Sequence, residues 1–288
     1  MDELLDGICE EIGAFFSNYF SSLDNIMELA EAAPMDSIHG FPSTALWEAS
    51  KGISSSIGVG VASVIIALFL FFELAAVFNR SDSKGWDGVY WILMAILKVA
   101  VAVAICKNMT LIIQICFAIT TEIIQGLKSS GLLNLQEIQN QTLAQDLVDY
   151  YQDRAVWSKI GGWFCAMIAN FINNLAMTVV EIVCKIRFIE IYVFTAIAPL
   201  PFCTFCNQEY KHIGISFLKR LIALGLQGVF ISIVCIFYVQ IVNASIGDAL
   251  NVTGNPTGAM FSMMGYSLLL LIAVFQTGGW SKSLLQVN

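Results

Sequence analysis

Charge is scarce in this chain. Only 12 per cent of its 288 residues are Asp, Glu, Lys or Arg, 57 per cent are hydrophobic, and the mean hydropathy is +0.74. A soluble domain carries about a quarter charged residues, so that class is excluded. Histidine is nearly missing: His39 and His212 are the two present. No HExxH helix, no GxxxxGKS/T phosphate loop and no GxSxG nucleophile turn occurs. The chain is therefore expected to be no enzyme, to hold no cofactor and to draw any energy from a partner or an ion gradient. Ten-residue polar–apolar alternation is absent, which excludes an outer-membrane barrel. No inverted repeat relates the two halves, which weakens a secondary-transporter reading.

Positive charge is missing from one whole end. The first fifty residues hold ten acidic groups and no Lys or Arg before Lys51. A DNA-coating surface would be basic, so this end is a poor one. The opening Met1-Asp2-Glu3 lacks the positive start of a secretory signal, and no cleavable signal is expected.

What is present is a series of apolar runs of about 20 residues, the length that crosses a bilayer as a helix. The fold class is all-α: a polytopic membrane helix bundle of five to seven spans with an N-terminal amphipathic helix. Residues 1–56 hold that helix, over 3–30, and a loop over 34–56 with Pro34, Gly40, Pro42 and a serine cluster. The helix lies on the membrane, docks on a partner or folds back on its own bundle; its acidic face favours protein contact, because a surface helix on a bilayer is normally basic. Residues 57–106 form the first transmembrane hairpin, with Trp86, Tyr90 and Trp91 at the interface. Lys98 lies mid-span, and Glu73 on the preceding span is its nearest carboxylate by sequence. Residues 107–159 are a polar central region. Within it 109–125 is apolar but interrupted, and 142–154 reads as a short surface helix. Residues 160–288 form a C-terminal membrane core, with spans at 160–183, 221–246 and 258–277.

Two small-residue sets, Gly58, Gly60 and Ala62, and Gly225 with Gly228, admit close approach of another helix. The 160–183 span carries a polar face of Asn170, Asn173, Asn174 and Thr178. These bond to neighbouring helices or line a wet cavity, the latter gaining if several copies surround an axis. Eight cysteines are scattered. Cys203 and Cys206, with His212 beyond, resemble half a zinc or redox motif whose second half is missing.

The most unusual text runs from 181 to 227. Glu181, Lys185, Arg187 and Glu190 put four charges on an apolar helix, where each is costly and calls for a partner or a function. Their spacing pairs Glu181 with Lys185 and Arg187 with Glu190. Pro199 and Pro201 break the run, and a polar turn with Glu209 and Lys211 leads to Lys219-Arg220. These charges either merely let the helix insert or, with the turn, form an inner mouth that meets a partner. Basic residues in short loops mark the cytoplasmic side. Arg80 and Lys84, then Lys211, Lys219 and Arg220, then Lys282, place the first loop, the turn and the C-terminus inside. The N-terminus is then outside and the number of crossings odd: five or seven, according to whether 109–125 and 188–206 both cross, with five slightly preferred.

The stretch Arg187-Phe-Ile-Glu190-Ile-Tyr-Val-Phe-Thr195-Ala-Ile-Ala-Pro199-Leu-Pro201 resembles the TrbL-like membrane subunits of conjugative type IV secretion systems of Gram-positive mobile elements. The likeness continues through Glu209-Tyr and Phe217-Leu-Lys219-Arg220-Leu-Ile-Ala-Leu-Gly225-Leu-Gln227-Gly228. It returns in Met264-Gly265-Tyr266 and in Phe275-Gln-Thr-Gly278 with Lys282-Ser283. These motifs occupy the last hundred or so residues; the rest is similar in layout, without the hydrophilic C-terminal extension of longer members. The resemblance implies a multi-copy channel subunit in the cytoplasmic membrane. It would work with other channel subunits and separate ATPases, and help single-stranded DNA with its relaxase, or protein, to leave the cell. An ion or small-solute transporter using the four charges as a relay, and a purely scaffolding subunit, are the competing readings.

Overall fold

The computed structural model describes Gly7 and residues 22–80, 86–129, 156–248 and 256–286. Among them the structure is helical, with a single isolated bridge between Ile38 and Phe41. Residues 22–31 form α1, and residues 33–42 a strap. Then follow α2 (Ser43–Ile57), a π-helical turn (Gly58–Ala62), α3 (Ser63–Arg80), α4 (Trp86–Lys107) and α5 (Met109–Leu127). After these come α6 (Val156–Ile197), a short α7 (Pro199–Cys203), a 3-10 turn (Thr204–Cys206), α8 (Lys211–Asp248) and α9 (Pro256–Leu284). The surface helix expected at 142–154 and most of the expected N-terminal helix lie outside the described residues.

Six helical stretches among the described residues are long and apolar enough to cross a membrane. The chain is an all-α, multi-pass membrane protein. Of the two ambiguous segments, 109–125 is one of the six, as α5. The 188–206 segment is not a separate helix. Its first ten residues complete α6, which runs unbroken for 42 residues through all four charges.

Two differences from the sequence reading have simple causes. The loop expected over 34–56 ends at Ser43, where α2 begins. Its serines do not break the helix, because they bond back to it: Ser50 Oγ donates to Trp47 O at 2.7 Å and Ser55 Oγ to Gly52 O at 2.8 Å. Asn108 separates α4 from α5 without reversing the chain. Its N–H still donates to Ala104 O at 3.1 Å, and Ile112 N–H donates to Asn108 O at 3.1 Å. The antiparallel register of the first hairpin carries on across it, from Glu73 opposite Lys98 to Ser54 opposite Met109.

The described residues fall into two compact units. One holds Ala33–Thr120, Arg187–Leu226 and Ser281–Asn288. Its first hairpin is tied by the expected ion pair, Lys98 Nζ to Glu73 Oε2 at 3.4 Å, both part-buried. Its strap turns at Gly40, whose φ of +72° suits a residue without a Cβ. Ser43 Oγ donates to Asp36 O at 2.6 Å and closes the strap onto the start of α2. The strap lies over α6. There the Tyr192 hydroxyl donates to Pro34 O at 3.0 Å, and Phe41 and Trp47 face Phe188 and Tyr192.

The other unit holds residues 1–32, Thr121–Ile186 and Gln227–Trp280. Leu23, Ile26, Ala169, Val180, Ile231, Leu270 and Val274 are buried in its core. An ion pair joins Lys128 to Glu31. Asn173, buried on α6, accepts from Ser267 Oγ of α9 at 2.8 Å. One of the four polar residues of the 160–183 span thus bonds across to a neighbouring helix.

Gly58, Ala62 and Gly225 of the small-residue sets are packed within the chain. A Cβ on Gly58 would meet Pro199 at 3.6 Å, and Ala62 is buried against Cys203. A Cβ on Gly225 would come within 3.0 Å of Thr120 Cγ2 and 3.5 Å of Phe117, while none of the described atoms lies within 4 Å of one on Gly60. Gly228 is buried, and its carbonyl accepts from Ser232 Oγ at 3.1 Å. Overpacking a filled site costs about 1–3 kcal/mol. Gly225→Leu is therefore expected to lower the unfolding temperature of the detergent-solubilised chain, and Gly60→Leu to leave it unchanged. Thermal unfolding of the two variants checks this.

Candidate functional site

The site is built around the break after α6. Proline has no N–H, so Pro199 and Pro201 stop the α6 ladder, and both sit in the first turn of α7, where no helical donor is needed. Of the carbonyls this frees, Thr195 O accepts from Ala198 N–H at 3.4 Å, and the carbonyls of α7 are met by side chains. Cys203 Sγ reaches Pro199 O at 2.8 Å, and Thr204 Oγ1 donates to Pro201 O at 2.7 Å while accepting from Gly214 N–H at 3.1 Å. Asn207 closes the tip, its Oδ1 accepting from Glu209 N–H at 2.7 Å and its carbonyl from Lys211 N–H at 3.0 Å.

The turn is seated on the first hairpin. Cys203 and Cys206 are buried with Ala62, Ile66 and Ala102, and Phe69, Val99 and Cys106 pack around them. The π turn and its small residues let the chain approach closely: Cys203 Sγ lies 3.5 Å from Ala62 O. Cys106 Sγ stands 3.9 Å from Cys203 Sγ. Farther along, Tyr210 stacks on Phe69 with ring centroids 5.6 Å apart. The register Gly58–Pro199, Ala62–Cys203, Phe69–Tyr210 points the tip toward the Arg80 end of α3. On the other side Phe217 sits edge-on to Phe194 and Phe202, holding α8 antiparallel to the end of α6.

Gly214 is the residue that sequence reasoning missed here. A Cβ on it would lie 2.9 Å from Pro201 O and 3.0 Å from the Phe205 ring. Cys106 was missed as well. It lies 97 residues from Cys203, and nothing in local spacing links the two. The Cys203-x-x-Cys206 spacing, which was noticed, forms no metal site with His212. The histidine Nδ1 is 2.9 Å from Glu209 O, and among the described residues no three His, Cys, Asp or Glu side chains gather as a metal would need.

The expected charges separate into three kinds. Glu181 and Lys185 form their i,i+4 pair, Lys185 Nζ to Glu181 Oε1 at 2.6 Å. The second expected pair is not formed. Arg187 turns to the buried side of α6, 4 per cent exposed, with its guanidinium 4.8 Å from the Phe188 ring centroid, while Glu190 is half-buried elsewhere on the helix. Arg187 shares the buried side of α6 with Phe188 and Ile191, and packing there, over the Phe188 ring, sets where its side chain goes. Glu209, Lys211, Lys219 and Arg220 are all exposed. Arg220 lies over Phe194 at 5.2 Å. The turn is thus apolar at its base and charged at its tip, where Glu209 and Lys211 are exposed.

Multi-pass helices and a broken helix seated on a hairpin define the class, a polytopic membrane protein. Residues 38–199, more than half of the chain, match the family model of TrbL/VirB6 plasmid conjugal transfer like protein, and the chain belongs to that family. The match takes in half of the strap, the first hairpin, α5 and α6, and ends at Pro199. Of the segments on which the sequence likeness rested, Arg187 to Pro199 falls inside it. No curated protein and no solved structure matches the chain. Family membership makes this a subunit of a multi-component conjugal transfer or type IV secretion complex.

Two tests follow from the packing of the turn. Gly214→Ala forces Pro201 or Phe205 to move, and the turn at 207–210 should become cleavable by protease in membranes, where the parent resists. Mild oxidation, or a bifunctional thiol reagent, should join Cys106 to Cys203, read as a cross-linked peptide by mass spectrometry and lost in Cys106→Ser.

Proposed function

We propose that this chain is a channel subunit in the cytoplasmic membrane of a conjugative type IV secretion system. It helps single-stranded DNA with its relaxase, or a protein substrate, across that membrane. It is not itself an enzyme. Several copies assemble with other channel subunits, and separate ATPases supply the energy. The family match carries this reading. The exposed charges Glu209, Lys211, Lys219 and Arg220 support it, since a seated turn with a charged tip suits contact with a cytoplasmic partner such as an ATPase.

The orientation has the N-terminus outside and the C-terminus in the cytoplasm. Positive residues favour the inner side, and the register of the turn directs its tip toward the same end as Arg80. The α4–α5 ladder continues through Asn108 without reversal, which supports counting it as one crossing, with the first loop and the turn on the same side. This is the five-crossing arrangement.

Deleting the gene should abolish conjugal transfer and leave solute fluxes unchanged, with full recovery from a copy supplied in trans. Photo-cross-linking of DNA caught in transit separates a channel from a scaffold: a channel subunit is cross-linked and a scaffold is not. For orientation, single cysteines at Asn251 and Ser129 should react with an impermeant reagent from outside, and one at Asp82 should not. Protection at Ser129 with labelling at Asn251 would mean seven crossings.

A further inference from the structure

One face of α6 is polar where a membrane helix meets its surroundings. Asn170, Asn174, Thr178, Glu181 and Lys185 follow one another at steps of four, four, three and four residues. At about 100° per residue they fall within about 80° of arc. The stripe lies mid-helix, in a stretch long and apolar enough to span. It is turned away from the core: Asn174 and Thr178 are exposed, and the Glu181 and Lys185 side chains are 41 and 27 per cent exposed. The buried face lies to one side of it, with Ala169, Asn173, Ala176 and Val180. To the other side lies an exposed apolar face with Phe164, Phe171, Leu175 and Ile182. The helix therefore has three faces, for core, for something polar and for lipid.

The stripe is partly bonded within itself. Asn174 Nδ2 donates to Asn170 Oδ1 at 2.9 Å, Thr178 Oγ1 donates to Asn174 O at 2.7 Å, and Lys185 pairs with Glu181 at 2.6 Å. These bonds engage the side-chain carbonyl of Asn170 and one amide N–H of Asn174; each amide keeps further bonding capacity, and Asn174 and Thr178 are exposed. Hydrocarbon has nothing to offer such groups. A tightly packed neighbouring helix is a poor fit too, since close approach in lipid favours Gly, Ala and Ser. The positions beside this stripe include Phe171 and Leu175, 70 and 56 per cent exposed.

We propose that this face of α6 lines a water-filled path through the membrane. The inference rests on the channel reading and deepens it by naming the lining. Water satisfies the remaining capacity of the amides and the half-exposed ion pair, and the adjoining Phe171 and Leu175 face then seals against lipid.

The test is water access in the assembled complex. Single cysteines at Asn174, Thr178, Phe171 and Leu175 are labelled with a charged methanethiosulfonate reagent in intact membranes, the natural cysteines having been replaced. Should that background fail to accumulate, the natural cysteines are kept and the parent's labelling is subtracted. Only the thiolate reacts and it forms only where water reaches, so Asn174→Cys and Thr178→Cys should label about tenfold or more faster than Phe171→Cys and Leu175→Cys. Equal slow labelling at all four positions overturns the proposal. So does a disulfide-linked dimer through Asn174→Cys without labelling, which would make the stripe a contact between two copies. If deletion abolishes transfer but the stripe stays unlabelled, the lining falls and the channel reading stands. If the stripe labels while deletion leaves transfer intact, the wet path stands and the conjugal role falls.

Discussion

A helix broken inside an apolar bundle must find new partners for the groups it frees, and the unit that holds the Pro199–Cys206 turn is arranged around that requirement. Water is not there to accept them. Cys203, Thr204 and Asn207 take up the loose carbonyls and N–H groups, and Ala62, Ile66 and Ala102 provide a surface flat enough to seat the result. The π turn at Gly58–Ala62 belongs to the same solution. It brings a small-residue backbone to the place where Pro199 and Cys203 arrive. Small-residue patches in membrane helices invite an intermolecular reading; here the nearest helix to be admitted is the chain's own.

The few charges are handled by the same logic. An unpaired Lys or Asp at the centre of a spanning helix costs about 2.5–3.5 kcal/mol on insertion scales. Lys98 is set against Glu73 across the first hairpin, and Lys185 against Glu181 one turn away. Such pairs offset the cost of their own burial more than they add stability. Arg187 is different, because its guanidinium lies over the Phe188 ring within the buried face, 4.8 Å from the centroid, a cation–π contact. The charges that meet nothing on the hairpin, Glu209 and Lys211, cluster at the tip of the turn.

These features divide the surface of a member of the TrbL/VirB6 conjugal transfer family. Its exposed apolar faces suit lipid. The tip of its turn suits a charged partner, and one stripe of α6 suits water. Asparagine serves opposite ends within one helix: Asn173 is buried against Ser267 and fixes α9 to α6, whereas Asn174, the next residue, points away. Their chemistry is the same, and the helical rotation of about 100° between them decides which is structural.

Much of the fold was legible in the sequence because it follows from local composition. Scarce charge and long apolar runs settle a helical membrane protein. The i,i+4 spacing settles the Glu181–Lys185 pair, and Lys98 and Glu73 meet because consecutive spans are antiparallel. The proline pair marks its own break, since no helix passes two missing donors intact. What the tertiary structure decided is what depends on which face points inward. Arg187 lies over the Phe188 ring instead of pairing with Glu190, because packing on the buried side of α6 sets where its side chain goes. Ser43–Ile57 is a helix despite its serines, because Ser50, Ser55 and Ser56 return their hydrogen bonds to its backbone and Ser54 donates to Met109 Sδ. The seat of the turn joins Cys106 to Cys203 across 97 residues, and the space at Gly214 exists only once Pro201 and Phe205 are folded over it. Contacts of that kind leave no periodicity in the chain; they come into being when distant segments close on each other.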